Sequence, residues 1–167
     1  MRADKLGTMS AELYFEDFAV GQIFAPEETY TLTVDAIKAF AAEWDPQPFH
    51  LDEAAAEESF FHGLAASGWQ TACIAMRLRV RNLHVAGGMI GAGVDEIRWT
   101  QAVRPGDTLR ISHEVLSVRR LASRPEYGVI KAETAVLNQH DEVVMRMKVN
   151  FLAPVRKAEA GPSLRSG

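Results

Sequence analysis

The segment VVMRMKVNF (residues 143–151) alternates with a period of two. Val143, Met145, Met147, Val149 and Phe151 fall on one side, and Val144, Arg146, Lys148 and Asn150 on the other. Successive side chains of a strand point to opposite faces, so this run fits a half-buried β-strand and not a helix. Just upstream, YGVIKAETAVL (127–137) alternates less cleanly, with NQHDE between the two runs as a hairpin turn. RPGD (104–107) is a second turn signal. Everything after AGG (86–88) is strand-like, which predicts strands near 89–102, 107–120, 127–138 and 142–153. Short connections between consecutive strands imply an antiparallel sheet.

Before residue 86 the period changes. GWQTACIAMRLRVRNL (68–83) places Trp69, Ala72, Cys73, Met76, Val80 and Leu83 on one helical face, with Arg77, Arg79 and Arg81 largely elsewhere on a solvated side. Small residues crowd the start of this helix, as close backbone approach requires. Cys73 is expected as a small core residue. Further upstream, TYTLT predicts a short strand whose last residue, Thr33, can cap a helix bearing Val34, Ile37, Phe40, Ala41 and Trp44 at helical spacing. Pro46 and Pro48 end that helix, and Asp52 and Glu53 open another at DEAAAEES, where carboxylates suit the positive helix end. One long helix, with no helix following each strand, makes the class α+β and not doubly wound α/β.

The 167 residues suffice for one domain with a real core, expected over 11–156, with flexible tails at 1–10 and 157–167. A net charge of −4 argues against nucleic acid as a partner. The single cysteine cannot form an internal disulfide and suits a reducing compartment. No stretch approaches the roughly 18 apolar residues of a membrane span. Together these features predict a cytoplasmic chain without a membrane partner.

The chemistry-bearing stretch is FAAEWDPQPFHLDEAAA (40–56), where Asp45 and His50 stand either side of two prolines. Five extended residues span on the order of 16 Å, so the chain must turn before both groups can reach one water. Two possibilities stand: a rigidly held acid/base pair, or a helix terminated by Asp45 with His50 packed in a loop. His50, Asp52 and His62 form only a weak metal pattern. His62, His84, His113 and His140 have no partner implied by the sequence and are expected at surface or turn positions. AGGMIGAG (86–93) lacks the lysine of a phosphate loop, and its glycines are expected to let a strand bend.

That stretch resembles the signature of the MaoC-like dehydratases and (R)-specific enoyl-CoA hydratases, roughly D-x-N-P-[apolar]-H-x-[DE]-x-x-x-A. Asp45, Pro48, Phe49, His50, Asp52 and Ala56 match in order, while Gln47 replaces the usual asparagine. FFHGLAASGWQTACIAMRL, YFEDFAVGQ and RPGDTL extend the similarity over most of residues 12–155, with Ser67-Gly68 standing where the family usually has His-Gly.

The resemblance implies a hot-dog fold, a curved antiparallel sheet around one long helix, with an overhang over the substrate channel at about residues 33–66. It implies reversible addition of water to a trans-2-enoyl-CoA, with Asp45 and His50 activating the water. The Gly68 N–H would stabilise the thioester oxyanion, although tight helix–sheet packing also accounts for that glycine. Gln47, Ser67 and Trp69 are expected to bind substrate. Coenzyme A is part of the substrate, and no metal or redox cofactor is expected. A homodimer or dimer of dimers follows from the exposed edge of a single sheet. The alternatives are a hot-dog acyl-CoA thioesterase and a non-catalytic acyl-CoA-binding subunit. The absence of Asp and Glu from residues 67–83 counts against the thioesterase.

Overall fold

The computed structural model describes residues 11–158. Residues 1–10 and nearly all of 157–167, the two expected flexible tails, lie outside the described residues. A 3₁₀ turn at Phe15–Asp17 is followed by strands β1 (Ile23–Phe24) and β2 (Tyr30–Thr31). Helices α1 (Val34–Trp44), α2 (Pro48–Leu51), α3 (Glu53–Glu57) and α4 (Gly68–Asn82) come next. The long strands β3 (Ile90–Trp99), β4 (Thr108–Arg120), β5 (Tyr127–Leu137) and β6 (Val143–Pro154) complete the chain. Each expected strand is present, displaced by a few residues at most.

The strands form one antiparallel sheet in the order β1-β4-β5-β6-β3, with β2 also pairing on β4. Register shifts interrupt the β3–β6 ladder at Gly91/Gly93 and the β4–β5 ladder between Val115 and Ser117. Such bulges bend strands, and the curved sheet wraps around α4. Ile74, Ala75 and Leu78 of the helix meet Ile111, Val136, Met145, Met147 and Val149 of the sheet in one core. The alternation in β5 is regular in burial although blurred in sequence, because its inward face includes the small residues Gly128, Ala132 and Thr134. At Gly128 a Cβ would lie within the van der Waals envelope of the Phe15 ring.

The buried face of α4 is only partly the one its hydrophobic spacing predicts: Leu83 is buried and Ala72 packs against the core, as expected. Gln70, Thr71, Ile74, Ala75, Leu78 and Arg79 are buried, while Trp69, Met76 and Val80 are exposed. Cys73 is exposed as well, against its expected place in the core. Close approach of helix to sheet favours small residues such as Thr71 and Ala75. Gln70 is held there because its Nε2 donates to the Ala36 carbonyl at 3.0 Å. Trp69, Met76 and Val80 stay largely open to solvent. Likewise Trp44 is exposed at the end of α1, whose buried residues are Ile37 and Ala41.

Two further expectations fail in the core, one on α4 and one in the sheet. Arg79 is buried and not solvated, and His113 is fully buried in β4 and not at a surface. His113 occupies one of the inward positions of β4 shared with Leu109, Ile111 and Val115, so the strand's alternation carries it into the core. Its Nδ1 is 2.7 Å from Thr134 Oγ1, and its Nε2 has no partner among the described residues. Burial, with the nearby Arg79 charge adding to it, pushes the imidazole pKa from 6.5 down to about 3.

The unfolded chain therefore takes up a proton that the folded chain refuses between those two values. The stability contributed by neutral His113 is complete above about pH 6.5 and falls as pH drops toward 3. Urea unfolding should show about 3 kcal/mol lost from this group between pH 6.5 and 4. His113→Phe should flatten that slope whatever its effect on stability at neutral pH, and parallel slopes would exclude His113 as the source.

Candidate active site

Thr33 starts α1 by accepting the Ala36 N–H at 3.1 Å, and the helix ends at Asp45, whose N–H donates to the Ala41 carbonyl at 3.0 Å. Pro48 then occupies the first turn of α2, a position proline tolerates because its missing N–H has no helical acceptor. This single turn lifts His50 out of the expected loop and brings it back toward Asp45. His50 Nε2 lies 3.4 Å from Asp45 Oδ2. The spacing allowed the pair to be far apart; the turn brings them within reach of one water.

Each partner is held by a further hydrogen bond. His50 Nδ1 is 2.6 Å from the Ala65 carbonyl. A carbonyl only accepts, so Nδ1 carries the hydrogen and Nε2 of the neutral ring presents its lone pair toward Asp45. Ser67 Oγ donates to Asp45 Oδ2 at 2.7 Å and also accepts the Trp69 N–H at 3.2 Å, capping α4. His50 and Ser67 are buried, and Asp45 is partly exposed. Phe61 packs its ring 5.1 Å from that of Phe49 and 6.2 Å from that of His50.

Asp45 and His50 open into a cavity of about 530 Å³ whose wall includes Phe61, Gly68, Trp69 and Trp99. Gly68 is the first residue of α4, and its N–H has no hydrogen-bond acceptor among the described residues. The Trp99 indole N–H donates to the Gly68 carbonyl at 2.7 Å, and a Cβ at Gly68 would fall 2.6 Å from that indole. Tight packing thus accounts for the glycine, and its free N–H still faces the functional question. Trp69 meets Trp99 edge to face, with ring centroids 5.3 Å apart.

Not every expected residue reaches this cavity. Gln47 is exposed, its side chain makes no capping bond, and it is absent from the cavity wall. Ser67 is not part of that wall and donates to the Asp45 oxygen that faces His50. Asp52 caps α3 through the Ala55 N–H at 2.8 Å, and no cluster of three potential metal-ligating His, Cys, Asp or Glu side chains forms among the described residues. Arg81 pairs with Glu28 at 2.7 Å, and Arg77 lies over the Tyr30 ring. Trp99, Phe61 and the Ala65 carbonyl were not singled out by sequence, since each contributes through contacts with residues distant along the chain. The crowding of small residues at 65–68 was the available signal for close packing there.

Residues 17–138 match a family model described as MaoC like domain. The chain is 30% identical over 138 residues to the uncharacterized protein YdeM of Bacillus subtilis, covering 82% of this chain and 96% of that one. It is 28% identical over 134 residues to a mesaconyl-CoA hydratase of Haloarcula marismortui, covering 78% of this chain but 37% of the Haloarcula protein. Among solved structures it is similar to a MaoC-like dehydratase from Rhodospirillum rubrum, at 46% identity and a TM-score of 0.82, over 87% of this chain and 99% of that one. An unliganded R-hydratase from Pseudomonas aeruginosa is 25% identical with a TM-score of 0.70, over 93% and 97% of the two chains.

Proposed function

The chain belongs to the MaoC-like domain family, and on that premise we propose that it is a hydratase/dehydratase adding water reversibly to a trans-2-enoyl-CoA. The observation that carries this is the 3.4 Å separation of Asp45 Oδ2 and His50 Nε2 at the wall of the cavity. Both atoms accept hydrogen bonds, so one water can donate a hydrogen to each and keep an oxygen lone pair for C3 of the substrate. As that bond forms, the pair takes up one of the water's two protons and returns it to C2, while the other stays on the new C3 hydroxyl, giving the 3-hydroxyacyl thioester. Negative charge develops on the thioester oxygen, and the free Gly68 N–H at the helix start is the donor proposed to meet it.

This is proton-transfer chemistry, with coenzyme A entering as part of the substrate and no metal or redox group required. The likeness to a mesaconyl-CoA hydratase supports the thioester class. The cavity wall carries no Lys or Arg side chain among the described residues, which favours an enoyl group without a second carboxylate. Asp45 is the one carboxylate in that wall and α4 contains none, which weighs against thioester hydrolysis through a helix-borne acid.

A homodimer or dimer of dimers suits the surface. β3 is an edge strand exposing Ile90 and Val94 beside the exposed Met76 and Val80 of α4, and such an edge is normally paired or covered. No helix among the described residues is long and apolar enough to cross a membrane; a cytoplasmic location is part of the same proposal.

The test is a panel of enoyl-CoA and 3-hydroxyacyl-CoA esters, followed by the conjugated-thioester absorbance with free coenzyme A measured in parallel. Crotonyl-CoA should lose absorbance without releasing coenzyme A and should outrun mesaconyl-CoA. Coenzyme A release would instead identify a thioesterase, and inert esters throughout would leave a binding subunit. Light scattering on the same sample should give at least twice the monomer mass of 18.4 kDa; a monomer at micromolar concentration contradicts the assembly.

A further inference from the structure

His50 owes its tautomer to the Ala65 carbonyl, so whatever positions that carbonyl also positions the lone pair on Nε2. Ala65 belongs to the connection between α3 and α4, which has no ladder or helix to hold its carbonyls. His62 sits at φ 47° and Gly63 at φ 141°. A non-glycine residue at positive φ persists only where its surroundings enforce it.

The enforcement comes from a residue some forty positions later in the chain. Arg104, in the turn between β3 and β4, donates from Nη1 to the carbonyls of Gly63 at 2.8 Å and Leu64 at 3.4 Å, and from Nη2 to that of Phe61. Its own N–H donates to Asp107 Oδ2 at 2.8 Å, which holds the turn from which the side chain reaches. The planar guanidinium offers five N–H groups in a fixed fork, so one side chain can serve several carbonyls at once; an ammonium has a single centre. Two backbone bonds complete the clamp, from Ala65 N to the Phe49 carbonyl at 3.3 Å and from Ala66 N to the Val103 carbonyl at 2.8 Å. Arg104 is not in the wall of the catalytic cavity.

We propose that Arg104 is a positioning residue for His50. By clamping the carbonyls of residues 61, 63 and 64 it keeps the neighbouring Ala65 carbonyl on Nδ1 and the Phe61 ring near the imidazole. Its activity consequence rests on the hydratase proposal; its effect on the imidazole does not. In RPGD the arginine registered only as part of a turn signal, because the carbonyls it serves lie some forty residues earlier.

The experiment compares wild type, Arg104→Ala and Arg104→Lys, each labelled with ¹⁵N for NMR of the His50 ring nitrogens at a pH where the ring is neutral. The wild-type ring should be protonated on Nδ1 alone. Arg104→Ala should show both tautomers, and kcat for crotonyl-CoA hydration should fall roughly 10- to 100-fold with KM little changed. Arg104→Lys should lie between them. A folded Arg104→Ala protein whose His50 remains a single Nδ1–H tautomer overturns the proposal, even if stability has fallen. Should Arg104→Ala fail to fold, Arg104→Lys decides by the same signals, a tautomer mixture supporting the role and a single tautomer rejecting it. A tautomer shift in a protein whose wild type hydrates nothing would sink the hydratase proposal and leave Arg104 in its role.

Discussion

Asp45→Asn and His50→Gln should each lower kcat for enoyl-CoA hydration by roughly 10³-fold, and the double variant should be little worse than the poorer single. The reason lies in the 3.4 Å separation of the two acceptors. One water held between them needs both, so losing either removes the arrangement and losing the second costs little more. Asp45→Asn cannot replace the carboxylate, because the same Oδ2 accepts from Ser67 Oγ and faces His50 Nε2. An amide oxygen there keeps the Ser67 bond without the basicity, and an amide nitrogen there loses that bond and donates to Nε2. His50→Gln can keep a donor to the Ala65 carbonyl but lacks the titrating ring. Steady-state kinetics on the four proteins, with thermal midpoints to establish folding, make the check. Strictly multiplicative losses exclude a shared water. Full activity in either single variant returns Asp45 and His50 to the ending of a helix.

Gly68→Pro should lower kcat by roughly 10²-fold or more relative to Gly68→Ala, the loss expected when an oxyanion donor is removed. The comparison must be with alanine, because any Cβ at this position falls 2.6 Å from the Trp99 indole. Both variants therefore displace Trp99, and only proline also deletes the N–H while remaining compatible with the first turn of a helix. Wild type against proline alone would confuse crowding with lost hydrogen bonding. Repeating the pair in a Trp99→Ala background removes the collision, and the alanine-to-proline difference should persist there. Equal turnover of the alanine and proline variants in that background would show that the Gly68 N–H contributes nothing to the transition state.

Both results depend on groups whose types were visible in the sequence and whose arrangement was not. The pattern around Asp45 and His50 named the candidate pair, and Gly68 stood out among the small residues opening α4. Ser67, expected to bind substrate, donates to the same Asp45 Oδ2 that lies 3.4 Å from His50 Nε2. Trp99, which packs on Gly68, lies thirty-one residues away in the chain. A motif records which residues are near one another in sequence, and neither the Ser67 nor the Trp99 contact is of that kind.

The strand β6 was determined by the sequence itself, since alternation with a period of two is a property of neighbouring residues, and the turn signals around it placed the other long strands. So were the capped start of α1, the proline break after it and the existence of α4. The face of α4 that would be buried was decided only in three dimensions. Hydrophobic spacing selected Trp69, Ala72, Cys73, Met76, Val80 and Leu83. Of these Leu83 is buried and Ala72 packs against the core, while Trp69, Cys73, Met76 and Val80 are exposed and Gln70, Thr71, Ile74, Ala75 and Leu78 are buried instead. Apolar side chains on a helix report that a face will be covered, without saying by what. Where a helix lies close on a sheet, side-chain size helps choose the face, and Gln70 is accommodated by its bond to the Ala36 carbonyl of α1. His113 was decided the same way: its place on an inward position of β4 buried it, and only the packed sheet set its charge.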